Sequence, residues 1–168
     1  MRLLLESLGH EVVGEAVDGH EAVKLAAEVR PDVAILDIRM PGRDGISAGK
    51  EILEEAICPV LLLTGFTDEE KVAAAARSGA FCYLTKPARP EEVESGIAIC
   101  VQRFDDIQRV RRRLTDSKVL QRAKGLLIDR FGLSEQEAHD RIHHTARSSS
   151  RTMAGVAEEI VATQEMPG

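Results

Sequence analysis

Short apolar runs alternate with amphipathic stretches along the first half of the chain. The runs are rich in Val, Ile and Leu and are bounded by Gly, Pro or Asp; they cover Glu11–Ala16, Val33–Ile38, Val60–Thr64 and Phe81–Thr85. Runs of this length predict buried strands. The stretches between them have helical spacing and cover Gly19–Arg30, Ile46–Ala56 and Asp68–Ser78. Helices that alternate with strands apolar on both faces predict a parallel sheet covered on both sides, an α/β doubly wound fold.

Capping residues support these helix starts. Asp18 precedes the helix at Gly19, and Thr67 with Glu70 forms a capping box before the helix at Asp68. Residues 1–8 also have a helical pattern, which ends at Gly9. A helix in that position has no preceding strand from which to cross over, so it stands outside the simple alternation.

A helix with a heptad pattern is predicted after Pro90. Its apolar positions follow steps of four and three residues and a final step of seven: Val93, Ile97, Cys100, Phe104, Ile107 and Leu114. We expect the part up to about Val101 to pack on the sheet, and the rest to form a stalk that pairs with a second copy. Packing of this face within one chain is the alternative.

Three shorter helices are predicted at the end of the chain. The first covers Ser117–Arg130 with Phe131 on its apolar stripe, the second begins at a Ser134–Glu137 capping box, and the third covers Thr152–Val161. They predict a minimal bundle. The expected organisation is a first domain at residues 1–90, its last helix and the stalk at 91–114, a three-helix domain at 115–163 and a tail at 164–168.

The charge is distributed unevenly between these parts. Residues 1–105 contain 11 Lys and Arg against 19 Asp and Glu, whereas residues 109–151 contain 11 against 5. This asymmetry indicates two modules with different partners, although a merely solvated basic helix surface would give the same count. No apolar run approaches the length of a membrane span, and no signal peptide is recognisable. We therefore expect a cytoplasmic protein without a membrane partner.

The cysteine pattern agrees with that location. Cys58, Cys82 and Cys100 are odd in number and share no metal-ligand spacing. Buried free thiols in a reducing compartment are expected in place of a disulfide or a metal site.

Three polar residues lie at the ends of predicted strands, at the same edge of the sheet. Asp37, Thr64 and Lys86 stand at or just beyond the carboxyl ends of their strands, where open parallel sheets bind ligands. Each alone has a structural explanation, as a turn cap, a backbone partner or a snorkelling side chain. Together they supply a nucleophilic carboxylate and two donors for phosphoryl oxygens.

These residues resemble the response-regulator receiver family over about residues 1–104, which implies a flavodoxin-like fold. The motif is Asp37 before Ile-Arg-Met-Pro-Gly, then Thr64-Gly, then Lys86-Pro. The resemblance implies that Asp37 accepts a phosphoryl group from a sensor histidine kinase and that Thr64 and Lys86 hold phosphoryl oxygens. It also implies that Mg²⁺ binds Asp37 and the main-chain carbonyl of Arg39. Tyr83 matches the family's switch aromatic, which turns inward when the threonine moves toward the phosphoryl group.

The start of the chain departs from the family pattern. The family begins with a central strand that ends in two acidic residues that bind Mg²⁺, and no such strand precedes Met1. One carboxylate and one carbonyl make a weak Mg²⁺ site, and the nearby Glu15 and Asp18 are not well placed to replace the pair. We therefore expect a sheet truncated at the N-terminus, a weakened or lost Mg²⁺ site, and a natural start some ~25 residues upstream.

The last part of the chain resembles the ANTAR family of transcription antitermination domains over about residues 110–163. Matching features are the Ala-Lys-Gly-Leu-Leu run at 123–127, the Ser-x-x-Glu-Ala step at 134–138 and the Val-Ala-x-x-Ile-Val ending at 156–161. The resemblance implies binding to RNA hairpins in nascent transcripts by a homodimer. Arg122, Lys124 and Arg151 are the candidate RNA contacts, because cationic side chains attract phosphates.

The preferred function is a two-component response regulator that, once phosphorylated on Asp37, binds RNA hairpins and prevents transcription termination. Arg39 occupies the position of the second aspartate of phosphoaspartate phosphatases, so an enzyme is not expected. One alternative is a receiver that acts by protein docking without phosphorylation. Another is a DNA-binding response regulator, although the acidic Glu158 and Glu159 make the last helix a poor recognition helix.

Overall fold

The computed structural model describes residues 1–65 and 82–167. The chain divides into two compact units, Met1–Gln108 and Arg109–Gly168. The predicted helix at Asp68–Ser78, its capping box and Phe81 lie outside the described residues.

The first unit contains a parallel sheet with helices around it. Its elements are α1 (Arg2–Ser7), α2 (Gly19–Val29), β1 (Ala34–Asp37), α3 (Gly45–Glu54), β2 (Val60–Thr64), β3 (Cys82–Thr85) and the first part of α4 (Pro90–Phe131). Among the described residues the strands lie in the order β1-β2-β3, all parallel. The prediction of an α/β doubly wound, flavodoxin-like sheet is therefore confirmed, and β2 is buried along its whole length, as a central strand should be.

The predicted strand at Glu11–Ala16 is wrong. Residues 10–16 have no regular secondary structure. A strand requires a neighbouring backbone for its hydrogen bonds, and within the described part of the chain β1 pairs with β2 alone. The segment lies against α2 instead, where a Cβ on Gly14 would come within 2.6 Å of the Leu25 side chain. Val12 and Ala16 are partly buried and Ala16 packs against the core, whereas Val13 is exposed, so the segment contributes one face to the core without forming a strand.

Local capping sets the starts of α2 and α3. The Asp18 side chain accepts hydrogen bonds from the backbone N–H groups of His20 and Glu21, which confirms the predicted cap. Asp44 accepts one from Ser47 at the start of α3. The two helices pack with the sheet around a core of aliphatic side chains and one thiol: Ala22, Ala26, Leu36, Ile38, Ala48, Ile52, Leu53, Cys58, Val60 and Leu62.

One helix, α4, replaces the two that the sequence predicted on either side of residues 115–116. It runs without a break from Pro90 to Phe131, over 42 residues, and the boundary between the two units falls inside it. Thr115 and Asp116 have the composition of a helix start, but the Thr115 hydroxyl donates to the carbonyl of Arg111 in the preceding turn. That bond satisfies the polar side chain without ending the helix.

The second unit consists of the end of α4, α5 (Glu135–Ser148) and α6 (Met153–Thr163). Ser134 and Glu137 form the predicted capping box, and Thr152 caps α6. The core residues come from all three helices: Ala123, Leu127, Ala138, Ile142, Ala146, Val156, Ala157 and Ile160. Phe131 is 41% exposed, so the prediction that it belongs to the apolar stripe facing the core is wrong. Across the described ranges, no helix combines the length and the apolarity needed to cross a bilayer.

Candidate functional site

The Asp37 carboxylate lies at the carboxyl end of β1 with both of its oxygens engaged. Oδ1 accepts a hydrogen bond from the backbone N–H of Arg39 at 3.0 Å. Oδ2 forms an ion pair with the Lys86 ammonium, which comes from a residue 49 positions later in the chain. The structure therefore brings the predicted phosphoacceptor and one predicted phosphoryl-binding residue into direct contact.

Parallel register explains how these distant residues meet. Asp37 lies opposite Leu63 on β2, one residue before Thr64, and Thr64 lies opposite Thr85 on β3, one residue before Lys86. The backbone N–H of Lys86 donates to the carbonyl of Thr64 at 2.7 Å, which extends the pairing past the end of β3. The three predicted residues thus end three adjacent strands at one edge of the sheet, where open parallel sheets place their ligand sites.

Thr64 is buried, and its hydroxyl donates to the carbonyl of Gly65 at 3.0 Å. The hydroxyl is therefore occupied locally, and it would have to rotate away from Gly65 to reach a group attached to Asp37. A hydroxyl that has two possible acceptors can switch between two side-chain conformations.

Solvent reaches the Asp37–Lys86 pair. The side chains are 38% and 43% exposed, respectively. Water screens such a pair, so it contributes little to stability. The same exposure leaves the carboxylate open to an incoming phosphoryl donor, with a cation beside it to receive the negative charge.

Gly45 is a site residue that the sequence analysis missed. A Cβ at this position would lie 2.0 Å from the backbone oxygen of Asp37, closer than real Cβ contacts come, and the Gly45 N–H donates to the Ile38 carbonyl at 3.1 Å. The glycine therefore allows the start of α3 to press against the end of β1 and to hold Asp37 in place. Its position directly after the Asp44 cap was the available signal.

The described residues fit a magnesium ion poorly. Glu15 is paired with Arg2 at 2.9 Å, and Asp18 caps α2, so neither is available beside Asp37. Hydrogen bonds from the Glu21 and His20 N–H groups hold the pKa of Asp18 below its usual value. No group of three or more His, Cys, Asp or Glu side chains within residues 1–65 and 82–167 could hold a metal. Asp37 and the Arg39 carbonyl would supply two oxygens, fewer than Mg²⁺ requires.

Tyr83 lies on β3 and is 48% exposed. Along β3 the burial alternates, with Cys82 and Leu84 more buried than Tyr83 and Thr85. The aromatic ring is thus on the outer side of the strand, three residues before Lys86.

The three candidate RNA-binding cations have different surroundings. Lys124 has a side chain only 11% exposed, and its ammonium pairs with Glu135 at 2.8 Å, which joins α4 to α5. Arg151 pairs with Glu159 and donates to the carbonyl of Gly155. Arg122 is exposed on α4. Burial gives Lys124 a structural role in the bundle, whereas Arg122 and Arg151 are exposed.

Comparison with known families follows the division into two units. The response regulator receiver domain model matches residues 1–98, and the ANTAR domain model matches residues 108–161. The transcriptional regulatory protein PdtaR of Mycobacterium tuberculosis is 39% identical over 171 residues, which cover 98% of this chain and 83% of that protein. The transcriptional regulatory protein LiaR of Bacillus subtilis is 44% identical over 88 residues, 52% of this chain and 42% of that protein.

Solved structures resemble the first unit. A response regulator receiver domain protein from Clostridium thermocellum has a TM-score of 0.56 and 30% identity, covering 63% of this chain and 86% of its own. The receiver domain of the sensor histidine kinase PA1611 from Pseudomonas aeruginosa has a TM-score of 0.52 and 28% identity, covering 60% and 84%; its structure holds a magnesium ion in the active-site cleft.

Proposed function

The chain belongs to the response-regulator family, with a receiver domain followed by an ANTAR domain, and we propose that phosphorylation of Asp37 switches it as a transcription antiterminator. The contact between the Asp37 carboxylate and the Lys86 ammonium carries the proposal. It places an accessible carboxylate nucleophile beside a cation at the ligand-binding edge of a parallel sheet.

Phosphoryl transfer at this site would form a bond between an Asp37 carboxylate oxygen and phosphorus. The bond that breaks is the one from phosphorus to a histidine nitrogen of a sensor kinase. The product carries about one more negative charge than the free carboxylate. Lys86 can follow that charge from Oδ2 to a phosphoryl oxygen, and Thr64 can exchange its bond to the Gly65 carbonyl for a bond to a second one.

Tyr83 is the proposed reporter of this change. Its exposed ring can take the space that the Thr64 hydroxyl leaves, which would convert a local charge change into a different surface on β3.

The second unit is the proposed RNA-binding part. It carries the basic excess of residues 109–151, and Arg122 and Arg151 remain the proposed contacts with hairpin phosphates. Lys124 stabilises the packing of α4 on α5 through its ion pair with Glu135.

The proposed dimer forms along the exposed part of α4. Val110 and Leu114 are 56% and 58% exposed, one helical turn apart. Pairing of this stripe with a second copy would remove apolar surface from water and present two RNA-binding units together. Two linked sites bind a pair of hairpins far more tightly than either site alone.

Acetyl phosphate labelling tests the switch. We expect the wild-type chain to gain one phosphoryl group slowly, because Asp37 and the Arg39 carbonyl alone would hold Mg²⁺ weakly, and Asp37→Asn to gain none. The labelled protein should bind paired RNA hairpins more tightly. Equal labelling of the variant would remove Asp37 as acceptor. Hairpin binding that is unchanged by labelling would favour the docking alternative, and tighter binding to duplex DNA than to RNA would favour a DNA-binding regulator.

A further inference from the structure

A thiol pair lies in the first unit at the end of β3 opposite the Asp37 site. Burial and then the neighbouring Cys82 side chain raise the pKa of the Cys100 thiol, so the two side chains lie near each other. Cys100 is 4% exposed, and its thiol also donates to the carbonyl of Val60 at 3.1 Å. Leu61, the next residue, is the register partner of Cys82, so the bond to Val60 places the Cys100 sulfur beside the start of β3.

The packing of α4 on β3 supports the same placement. A Cβ on Gly96 would lie 3.2 Å from the Leu84 side chain, so the helix backbone passes close over this strand residue. One turn along the helix from Gly96 leads to Cys100, and two residues back along the strand from Leu84 leads to Cys82. These steps are about 6 Å and 6.6 Å, so the helix and the strand stay in register between the two contacts.

We infer that Cys82 and Cys100 form a reversible disulfide that clamps α4 onto β3 when the protein meets a peroxide. Cys82 and Leu84 share one side of β3, and α4 passes close to Leu84 at Gly96, so Cys82 faces the helix at the level of Cys100. A disulfide requires facing side chains at short separation. The bond closes within one unit, and α4 is the helix that continues beyond that unit. The clamp therefore fixes the packing of the connecting helix on the last strand, next to Tyr83.

The chemistry balances with one peroxide molecule for each disulfide. The Cys82 sulfur, the less buried of the two, attacks a peroxide oxygen and becomes a sulfenic acid. The other oxygen leaves as hydroxide and takes up the proton of the Cys82 thiol, which gives the first water. The Cys100 sulfur then displaces the sulfenic hydroxyl, and its proton leaves with that group as water. Two thiols and one hydrogen peroxide yield a disulfide and two waters, and an external thiol reverses the bond by exchange.

Cys58 is the internal control. It is 1% exposed, and burial raises the pKa of its thiol to about 11. Burial likewise raises the pKa of the Cys100 thiol, to about 12, so Cys100 completes a bond that Cys82 starts and does not react first.

The chain offers a direct assay, because trypsin does not cut before proline. Lys86 and Arg89 both precede proline, so Cys82 and Cys100 stay together on the tryptic peptide of residues 78–103, while Cys58 is on the peptide of residues 51–71. The full-length protein is treated with hydrogen peroxide, blocked with iodoacetamide in denaturant without reductant, and digested.

We expect the 78–103 peptide to be unalkylated and two hydrogen masses lighter than its reduced form, and the 51–71 peptide to be alkylated. Dithiothreitol should restore two alkylation sites. Cys58→Ser should leave the result unchanged, whereas oxidation in denaturant should involve all three cysteines without preference. The inference is overturned if native protein keeps both thiols of the 78–103 peptide free, oxidises Cys82 to a sulfinic acid without a crosslink, or links Cys58 as readily.

Discussion

Replacement of Lys124 tests whether this side chain stabilises the helical bundle or contacts RNA. Its side chain is 11% exposed and lies between α4 and α5, with the ammonium on Glu135. Lys124→Ala deletes three buried methylene groups at about 0.8 kcal/mol each, so the bundle should lose about 2 kcal/mol. The Lys124–Glu135 ion pair contributes little further free energy, because Glu135 is solvent-exposed and water screens the pair. Lys124→Met keeps most of the apolar stem, and its cost should be well under 1 kcal/mol.

Hydrogen exchange in the full-length chain measures this local change. Peptides from α5 and α6 report opening of the second unit without a global unfolding transition. Lys124→Ala should raise their opening equilibrium roughly 30-fold, the factor that corresponds to about 2 kcal/mol, and Lys124→Met should leave it nearly unchanged.

RNA affinity then decides the role of the charge. Lys124→Met should bind hairpin RNA as the wild type does, whereas the exposed Arg122→Ala should bind more weakly, with a salt slope about one unit smaller. A Lys124→Met variant that keeps its exchange protection but loses RNA affinity would refute this reasoning, because the ammonium would then have to contact RNA itself.

Three further outcomes are expected. Lys86→Met should slow acetyl phosphate labelling of Asp37 about 100-fold, measured by intact mass, because the developing charge loses its cation. Gly45→Ala should destabilise the first unit by more than about 3 kcal/mol in urea unfolding, because the added Cβ would lie 2.0 Å from the Asp37 backbone oxygen. Gly125→Ala on α4 meets open space and should stabilise the second unit by about 0.5–1 kcal/mol. A hydrogen bond from Lys124 lowers the pKa of Glu135, so the charged carboxylate stabilises the second unit at pH values above its ordinary pKa, and this stabilisation is lost as the pH falls through the lowered pKa. Glu135→Gln should therefore weaken the acid dependence of hydrogen exchange in α5. An unchanged pH profile would contradict the pairing.

The sequence predicted the parallel α/β sheet and the edge of that sheet at which three polar residues end their strands. Asp37, Thr64 and Lys86 each end a short apolar run, and a parallel sheet must bring such ends to one edge, so their convergence followed from topology alone. Gly45 was not found, because its role depends on how close α3 comes to β1, and a distance between two packed elements is not written in either one.

Structural features that depend only on neighbouring residues could be predicted from the sequence. The caps at Asp18 and Ser134 and the burial of β2 depend on hydrogen bonds or periodicity spanning only a few positions. Tertiary packing decided the rest. Residues 11–16 have strand composition but no regular secondary structure, and Thr115 bonds back into α4 instead of starting a new helix. Lys124 is an interior cation, and Cys100 lies beside the strand that Cys82 begins, because burial and contact depend on which surfaces the folded chain brings together.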